Sequence, residues 1–412
     1  MVNHDGTSSL VRIYWTAFIG LLFDYYDLYL FVYLEKTLAA HFALTPTASD
    51  ALQFVGLAGV GAGALGFGWL ADRLGRGRMM LAVFGVYVLG IAGLSTAWNY
   101  PSLLAFRLVA SLALGAEWGI SHTYLAERVD RATRYRFAAL LQFAILGGLL
   151  AALARNYLLL VWGWRWLFAA SIVPVVLLSL MRWKMLARED SFVGASLLAT
   201  KKTDRLPTPP LRRGQAGSSN GKTALLTFDL RLSIALRSNA AAFAVCFGLA
   251  SLTIASGTIN VFFAKDLPQS TIYTVFFWGN VVPGMLAGAW VVRKLGVGQA
   301  LAIYAAALVA LSVWAWGSAW PPRMLAFALV LPLLNGIPFG LMGAFFNEVF
   351  GGYRTMLSGA AYNLGRILAG FSPALITALG LHCGGNYFLF TAVLGAGVLA
   401  LSAAAARLPA RL

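Results

Sequence analysis

Two aspartates, Asp24 and Asp27, lie inside the first apolar stretch of the chain, in the segment FDYYDLY at residues 23–29. The stretch extends from about Ile13 to Tyr33, close to the ~20 residues that cross a bilayer as a helix. A charged side chain at the bilayer centre costs about 3 kcal/mol on insertion scales, so a carboxylate there normally faces a cavity or a partner. Because the two acids are three residues apart, we expect both on one helical face.

Acid–base chemistry is what such a pair supports. Two carboxylates close together in a low dielectric cannot both ionise cheaply, so we expect at least one to keep its proton near neutral pH. We interpret the pair as one titrating unit with a shared proton, with Asp27 as the first candidate for proton coupling and Asp24 as the second. The alternative is a structural pair that is neutralised by an arginine elsewhere. Glu117 in the fourth span is a third proton-coupling candidate, although an acid that locks this span to a neighbouring helix explains it slightly better.

The elements that hold these acids are predicted to be membrane helices. The chain has 412 residues, of which 60% are hydrophobic and only 11% are charged, and this composition excludes a soluble globular protein. The polar segment Met1–Val11 lacks the short apolar core and cleavage site of a signal peptide, so we expect the first span to be retained. We therefore predict a multi-pass protein of the plasma (inner) membrane.

The net charge of +16 is distributed unevenly. Arginines and lysines concentrate after the even-numbered spans and in the central stretch from Arg182 to Arg237, and the other connections hold few. This asymmetry predicts that both termini are cytoplasmic, and it explains the charge without nucleic acid as a partner. The two cysteines and four histidines are scattered, so neither a disulfide framework nor a metal site is predicted.

Hydropathy predicts an all-α membrane protein with twelve spans, at residues 13–34, 50–71, 78–97, 102–123, 137–160, 164–183, 239–263, 271–292, 299–317, 324–346, 356–379 and 387–406. A long polar stretch rich in proline, glycine and arginine divides the spans six plus six. We therefore predict an N-terminal six-helix bundle at 1–183, a flexible cytoplasmic linker at 184–237 and a C-terminal six-helix bundle at 238–412.

The two halves carry a degenerate motif at equivalent places. GWLADRLG at residues 68–75 follows span two, and GAWVVRKLG at residues 288–296 follows span eight. An acid followed by arginines also ends span four and span ten. Two six-helix repeats around a site at the middle of the membrane are the plan of many secondary transporters.

The loop GWLADRLGRGR at residues 68–78 resembles the signature loop of the major facilitator superfamily, with nearly every position filled. Within that superfamily the chain resembles the metabolite:proton symporters, nearest to the sialate and lactate branch. Three further segments carry this resemblance: Asp-x-x-Asp in span one, Arg107 with GAEWG at 115–119, and YNLGR at 362–366. The resemblance implies two pseudo-symmetric six-helix bundles that transport by alternating access.

Nine residues at the ends of spans two, four and ten are candidates for a cytoplasmic gate, whose charged pairs would close one face and separate when the protein opens inward. They are Gly68, Asp72, Arg73, Gly75, Arg76, Glu127, Arg134, Glu348 and Arg354. The alternative is that these residues serve only topology and turn geometry. At Val292 the second loop lacks the acid of the first, so we expect a weaker clasp in that half. The glycines of span two match G-x-G-x-x-G at 61–66, but no strand precedes them, so they favour helix packing over nucleotide binding.

Arginines at membrane depth are the candidate anion-binding groups. Arg366, near the middle of span eleven, demands an anion or several acceptors and is the best candidate for a substrate's negative charge. Arg107 in span four either pairs with an aspartate of span one or grips a substrate carboxylate through two parallel hydrogen bonds. The other predicted substrate-binding residues are Tyr25, Tyr26, Tyr29, Trp118, Asn260, Asn280 and Asn363, although Trp118 is more often a packing residue and buried asparagines often only bridge helices.

Two arginines favour an anionic substrate. An anion that moves inward against the membrane potential needs a compensating cation, because each charge costs about 2.3 kcal/mol per 100 mV. We therefore predict a secondary active transporter, not an enzyme, that takes up a small organic acid with a proton and needs no cofactor. The alternatives are a proton-antiporting exporter (or importer) of amphipathic compounds or metal chelates such as siderophores, and a membrane receptor without transport. We expect the protein to be a monomer in the lipid bilayer.

Overall fold

The computed structural model describes residues 4–184, 221–264, 271–316, 321–372, 375 and 386–411. The helices in chain order are α1 His4–His41, α2 Pro46–Leu74, α3 Arg76–Thr96, α4 Tyr100–Ala126, α5 Arg134–Gln142, α6 Gly147–Ala169, α7 172–184, α8 Gly221–Ala264, α9 Thr271–Leu295, α10 Val297–Ala315, α11 Pro321–Val349, α12 Arg354–Gly370 and α13 Asn386–Arg407. Within these residues, nine helical stretches are long and apolar enough to cross a membrane.

The longest of these stretches, Arg134–Lys184, covers the predicted spans five and six. A short 3-10 turn, Phe143–Leu146, joins α5 to α6. A kink interrupts α6 at Gly163, whose φ of 75° favours glycine because a side chain would be strained there. A second break at residues 170–171 separates α6 from α7, three residues before Pro174, which cannot donate a backbone hydrogen bond.

The prediction of a flexible linker at 184–237 is wrong for residues 221–237, because these residues belong to α8, which begins at Gly221. No glycine or proline occurs between Gly221 and Gly248, so nothing in the sequence stops the helix of span seven from extending in the N-terminal direction. The part of the predicted linker that contains its prolines lies outside the described residues.

Each half is built on the same close helix contacts. In the first half α2 packs on α4, and in the second half α9 packs on α11. Both contacts depend on glycine, since a Cβ at Gly63 or Gly284 would overlap the facing backbone at Leu112 or Leu333. Glycine in α2 therefore serves close helix packing, as the sequence indicated.

The halves meet mainly where α2 contacts α12 and where α5 contacts α9 and α11. The interface contains buried polar side chains beside large buried aromatic rings, among them Asn363, Gln142, Trp118 and Tyr362. Because buried polar groups need hydrogen-bond partners, this interface is where a site for a polar molecule can form.

Candidate functional site

A small cavity lies between the two halves. Its walls are Leu21, Asp24, Tyr25 and Leu28 of α1, Leu114 and Trp118 of α4, and Arg366 of α12. The four α1 residues recur every three or four positions, so a single face of α1 forms one side of the cavity. Asp24 and Arg366 are the charged residues of this lining. The cavity thus brings an acid of one half together with a base of the other.

Asp24 is 8% exposed, and its Oδ2 atom is buried without a hydrogen-bond partner among the described residues. Glu117 and Asp27 act on it by charge repulsion, whereas Arg182 and Arg366 attract its charged form. A buried carboxylate oxygen without a partner is costly. Asp24 therefore needs a proton, a ligand or water to complete its hydrogen bonds.

Arg366 directs its guanidinium group between two tyrosines. Its Nη2 donates a hydrogen bond to Tyr362 Oη at 3.2 Å, and its Cζ lies 4.8 Å from the ring centre of Tyr362 and 5.7 Å from that of Tyr25. A guanidinium group carries five N–H donors, and the contacts within the described residues engage one of them. The remaining donors suit a planar acceptor such as a carboxylate.

The aromatic residues at the cavity belong to one hydrogen-bonded network. The Oη atoms of Tyr25 and Tyr362 are 3.1 Å apart, and the Tyr362 ring stacks on Trp118 with centroids 3.9 Å apart and planes 2° apart. Gln142 Nε2 donates to Tyr25 Oη at 2.6 Å. Trp118 Nε1 and His122 Nε2 lie 3.2 Å and 3.1 Å from Gln142 Oε1. The network connects α12, α1, α5 and α4 around the cavity.

Asp27 lies outside the cavity lining and is only 1% exposed. Its Oδ1 lies 3.3 Å from Ser171 Oγ, whose one hydrogen is shared with the carbonyl of Phe168 at 2.9 Å, and its Oδ2 has no partner among the described residues. Arg107 attracts Asp27 at longer range, but its guanidinium Cζ lies 3.6 Å above the Phe31 ring, beside Gly56. No ion pair between Asp27 and Arg107 occurs in the described part of the chain. The two aspartates of α1 therefore have different neighbours, and the shared proton stays a prediction.

Glu117 forms a buried ion pair with Arg182, with Oε1 and Nη2 3.1 Å apart and the two residues 0% and 4% exposed. Ser121 Oγ donates to the same Oε1 at 2.6 Å, and Arg182 Nη2 also donates to the carbonyl of Thr16 at 2.6 Å. This group joins α4, α7 and α1 within the first half. Its geometry agrees with the structural interpretation of Glu117, although its charge also reaches Asp24.

Two further tyrosines of α1 were predicted to contact substrate, and neither lines the cavity. Tyr26 donates from Oη to the carbonyl of Leu167 at 3.0 Å, within the first half. Tyr29 stacks on Tyr25 with centroids 6.4 Å apart and meets Trp278 of the second half edge-on at 4.7 Å. Tyr29 thus contacts the second half about one helical turn from Tyr25, which lines the cavity.

The predicted asparagines bridge helices. Asn280 donates from Nδ2 to the carbonyl of Leu329 at 3.1 Å and joins α9 to α11. Asn363 donates from Nδ2 to the carbonyl of Gly115 at 2.9 Å and joins α12 to α4 across the halves. The side chain of Asn260 lies outside what the structure describes.

We use the term gate face for the end of the bundle that carries Asp72, Glu127 and Glu348. There the Asp72 carboxylate accepts hydrogen bonds from the backbone amides of Thr355 at 3.1 Å and Met356 at 2.9 Å. These amides belong to the first turn of α12, where backbone donors lack partners within the helix. Asp72 of the first half therefore caps a helix of the second half.

Charged pairs surround this cap. Arg76 lies 3.0 Å from Asp72 and 3.0 Å from Glu127, and Arg354 lies 3.5 Å from Glu127. Glu127 and Arg354 come from opposite halves, so this pair also connects the halves at the gate face.

An equivalent pair closes the other side of the gate face. Glu348 accepts hydrogen bonds from Arg134 at 2.9 Å and from the Tyr135 hydroxyl at 2.7 Å. Val292, at the place equivalent to Asp72, is a buried apolar residue. The second side thus has the cross-bundle ion pair but not the carboxylate cap.

The remaining predicted gate residues shape the loop itself. A Cβ at Gly68 would lie 2.9 Å from the Cα of Met356, so glycine permits the close approach of α2 and α12. Gly75 has a φ of 96°, which favours glycine at the turn into α3. The guanidinium group of Arg73 packs over the ring of Trp69 in the same helix, with its Cζ 4.3 Å from the ring centre.

Sequence reasoning missed four residues of this interior. Gln142 and His122 complete the network at the cavity, Ser171 contacts Asp27, and Arg182 pairs with Glu117. Gln142 and His122 are polar residues inside predicted spans, and such residues often have a functional role or a polar partner. Arg182 lies at the end of predicted span six, and nothing in the sequence indicates that it turns inward.

Comparisons with known proteins agree with this architecture. The profile of the Major Facilitator Superfamily matches residues 17–373. The chain is 27% identical over 386 residues to the cis,cis-muconate transport protein of Acinetobacter baylyi, covering 92% of this chain and 89% of that protein. It is 33% identical over 163 residues to the niacin transporter NiaP of the same organism, covering 39% of this chain and 37% of that protein.

The fold is also found among solved structures. A structure of the proton:xylose symporter XylE superposes with a TM-score of 0.68 and 16% sequence identity, covering 97% of this chain and 95% of that one. At this identity the similarity concerns the fold alone. The family match, the helical architecture and the long apolar helices together lead to one conclusion: the chain belongs to the Major Facilitator Superfamily and is a multi-pass membrane transporter, not an enzyme.

Proposed function

We propose that the protein takes up a small organic acid together with a proton. The observation that carries the proposal is the charge content of the cavity, whose lining includes one acid, Asp24, and one base, Arg366. Muconate and niacin, named for two relatives, are carboxylic acids, which supports the same substrate class.

The coupling follows from charge balance in a buried cavity. When the cavity is empty, ionised Asp24 and Arg366 neutralise each other. A bound carboxylate adds one negative charge, which is strongly unfavourable in a low dielectric unless a proton neutralises Asp24. The empty cavity and the cavity with acid plus proton are thus the two neutral states, and only neutral states cross between the two sides at low cost. Binding of the anion is thereby coupled to binding of one proton.

Asp24 is our choice for the coupling proton, which reverses the order that the sequence favoured. Asp24 shares the cavity with the substrate, so the substrate's charge acts directly on its protonation. Asp27 is sealed against Ser171 inside the first half and lies outside the cavity lining. Arg366, which lines the cavity, takes the role of the anion-binding arginine, and Arg107 has a structural role.

Transport requires the cavity to open to each side in turn. We propose twelve spans in two bundles, 1–183 and 238–412, with both termini cytoplasmic, so that the gate face is the cytoplasmic one. The charged contacts of Asp72, Glu127 and Glu348 hold that face closed while the cavity exchanges with the outside. Their separation then releases acid and proton inward.

Purified protein in proteoliposomes tests the proposal. An inward proton gradient is imposed, and the uptake of cis,cis-muconate, niacin, gallate and lactate is measured with and without a protonophore. We expect accumulation of at least one acid above its external concentration, and loss of that accumulation with the protonophore. Accumulation that instead requires an outward movement of protons would establish an exporter and refute the proposal.

A further inference from the structure

The hydrogen-bond network beside the cavity has a fixed direction. An indole N–H only donates, so the Gln142 atom that faces Trp118 Nε1 at 3.2 Å must be the amide oxygen. The amide nitrogen then faces Tyr25 Oη at 2.6 Å and must donate to it. Since an amide oxygen cannot donate, His122 carries its hydrogen on Nε2. All four side chains are buried, so water does not readily replace these partners.

The hydroxyl groups of Tyr25 and Tyr362 consequently carry two hydrogens, but the described residues offer an acceptor for only one of them. Tyr25 Oη accepts from Gln142, and Tyr362 Oη accepts from Arg366 at 3.2 Å. One hydroxyl hydrogen lies between the two oxygens, which are 3.1 Å apart. The other hydroxyl hydrogen has no acceptor among the described residues. A buried donor without an acceptor is costly, so the site is built for an acceptor that enters it.

We propose that Tyr25 presents this surplus hydrogen to the cavity, where it and Arg366 donate to the two oxygens of a substrate carboxylate, because the Gln142 amide donates to Tyr25 and does not compete for that hydrogen. Tyr25 lines the cavity and Tyr362 does not, so the hydrogen between the phenols comes from Tyr362. The inference rests on the proposed function and narrows it, because the recognised group is an ionised carboxylate and not an amide or an ester.

The arrangement also connects recognition with the proton. Asp24 lines the same cavity as Tyr25 and Arg366, so its ionised form competes with the substrate carboxylate for the same donors. Protonation of Asp24 removes this competitor. Two donors, one from each half, then hold the substrate at the interface between the halves.

A substitution that reverses the direction of the network separates this role from a structural one. In Gln142→Glu, the amide donor is replaced by an acceptor at mildly alkaline pH, so Tyr25 turns its hydrogen toward the new carboxylate and away from the cavity. Gln142→Met removes both donor and acceptor and leaves the Tyr25 hydrogen free for the substrate. Tyr25→Phe deletes the donor, whereas Tyr362→Phe deletes only its neighbour.

The test measures binding of niacin and nicotinamide, which differ as carboxylate and amide, to purified full-length protein. Benzoate with benzamide, and cis,cis-muconate with its diamide, provide two further pairs. The readout is the ratio of the two dissociation constants in each pair, which a loss of stability alone does not change. We expect Gln142→Glu and Tyr25→Phe to reduce the preference for the carboxylate by roughly ten- to hundredfold, the range for one hydrogen bond to a charged acceptor. Gln142→Met and Tyr362→Phe keep the preference within about threefold of wild type, since a neutral network bond elsewhere changes the ratio little.

Equal ratios in all four variants and the wild type, with only overall affinity or stability changed, would overturn the inference and leave proton-coupled uptake standing. A wild-type protein that binds the amides as well as the acids also overturns it. A wild-type protein that binds none of the acids contradicts the proposed function itself, and the inference with it.

Discussion

Asp24 and Asp27 lie three residues apart on one helix, yet they have different surroundings. Asp24 faces the cavity and the arginine of the opposite half, whereas Asp27 is sealed inside its own half against Ser171. Each acid has an arginine nearby without a direct ion pair in the described residues, Arg366 for the first and Arg107 for the second. The difference is contact with the cavity, which Asp24 lines and Asp27 does not. In the proposed function, one helical face thus holds the titrating acid and a structural acid side by side.

The two arginines provide the strongest test of this comparison. We expect Arg366→Gln to raise the KM for uptake of the transported acid by about a hundredfold or more, because a charge-assisted carboxylate contact is worth about 3 kcal/mol. Arg107→Gln should change KM by less than about threefold, since its guanidinium group contacts Phe31 and not the cavity. Concentration-dependent counterflow, which needs no proton gradient, measures both. Equal effects of the two substitutions would remove the distinction.

Substitution of Glu117 tests whether this third acid takes part in proton coupling or only stabilises the fold. Glu117→Gln leaves Arg182 buried without its charge partner, which should lower stability by about 3–5 kcal/mol. The double variant Glu117→Gln/Arg182→Met should regain most of the lost melting temperature. Both variants should keep pH-driven accumulation in the protein that remains folded. A stable Glu117→Gln protein without accumulation would instead make Glu117 a coupling residue.

In the proposed transport cycle, the gate face controls access to Asp24 from one side of the membrane. Asp72→Asn weakens the cap on α12, a loss of about 1–2 kcal/mol, and should favour the conformation open at that face by roughly tenfold. Labelling of a cysteine introduced at Leu28 with a membrane-impermeant thiol reagent, in a background without Cys246 and Cys383, measures this shift. Arg136→Gln is the control, because Arg136 is an exposed residue beside Arg134 at the same end of the bundle. Unchanged labelling from the gate face in Asp72→Asn would contradict its role as a clasp.

The smallest effect is expected beside the sealed acid. Ser171→Ala removes the 3.3 Å contact with Asp27 and the 2.9 Å hydrogen bond to the Phe168 carbonyl, and should cost about 1 kcal/mol of stability. Thermal unfolding should detect this loss, whereas the accumulation ratio should equal that of wild type. A change in the ratio would mean that the environment of Asp27 controls coupling.

Much of this architecture could be predicted from the sequence. Apolar length predicts membrane helices, and the loop motifs predict the contacts of Asp72 and Glu127, because charges at helix ends have few partners other than each other. Depth along a helix, however, does not specify which side chains share a cavity. Helical spacing places Asp24 and Asp27 on the same face and therefore does not distinguish them. Only tertiary contacts do: Asp24 lines the cavity with Arg366 of α12, whereas Asp27 contacts Ser171. The inward turn of Arg182 and the bond from Gln142 to Tyr25 likewise depend on tertiary contacts that no local pattern encodes.

The most direct test of the central claim compares Asp24→Asn with Asp27→Asn in proteoliposomes. The measurement is pH-driven accumulation of the transported acid beside counterflow of the same acid in the same preparation. Asp24→Asn should abolish accumulation and keep counterflow, because the neutral side chain permanently mimics the protonated state. Asp27→Asn should accumulate the acid as wild type does. Intact accumulation in Asp24→Asn, or its loss only in Asp27→Asn, would contradict the assignment of the coupling proton to the cavity.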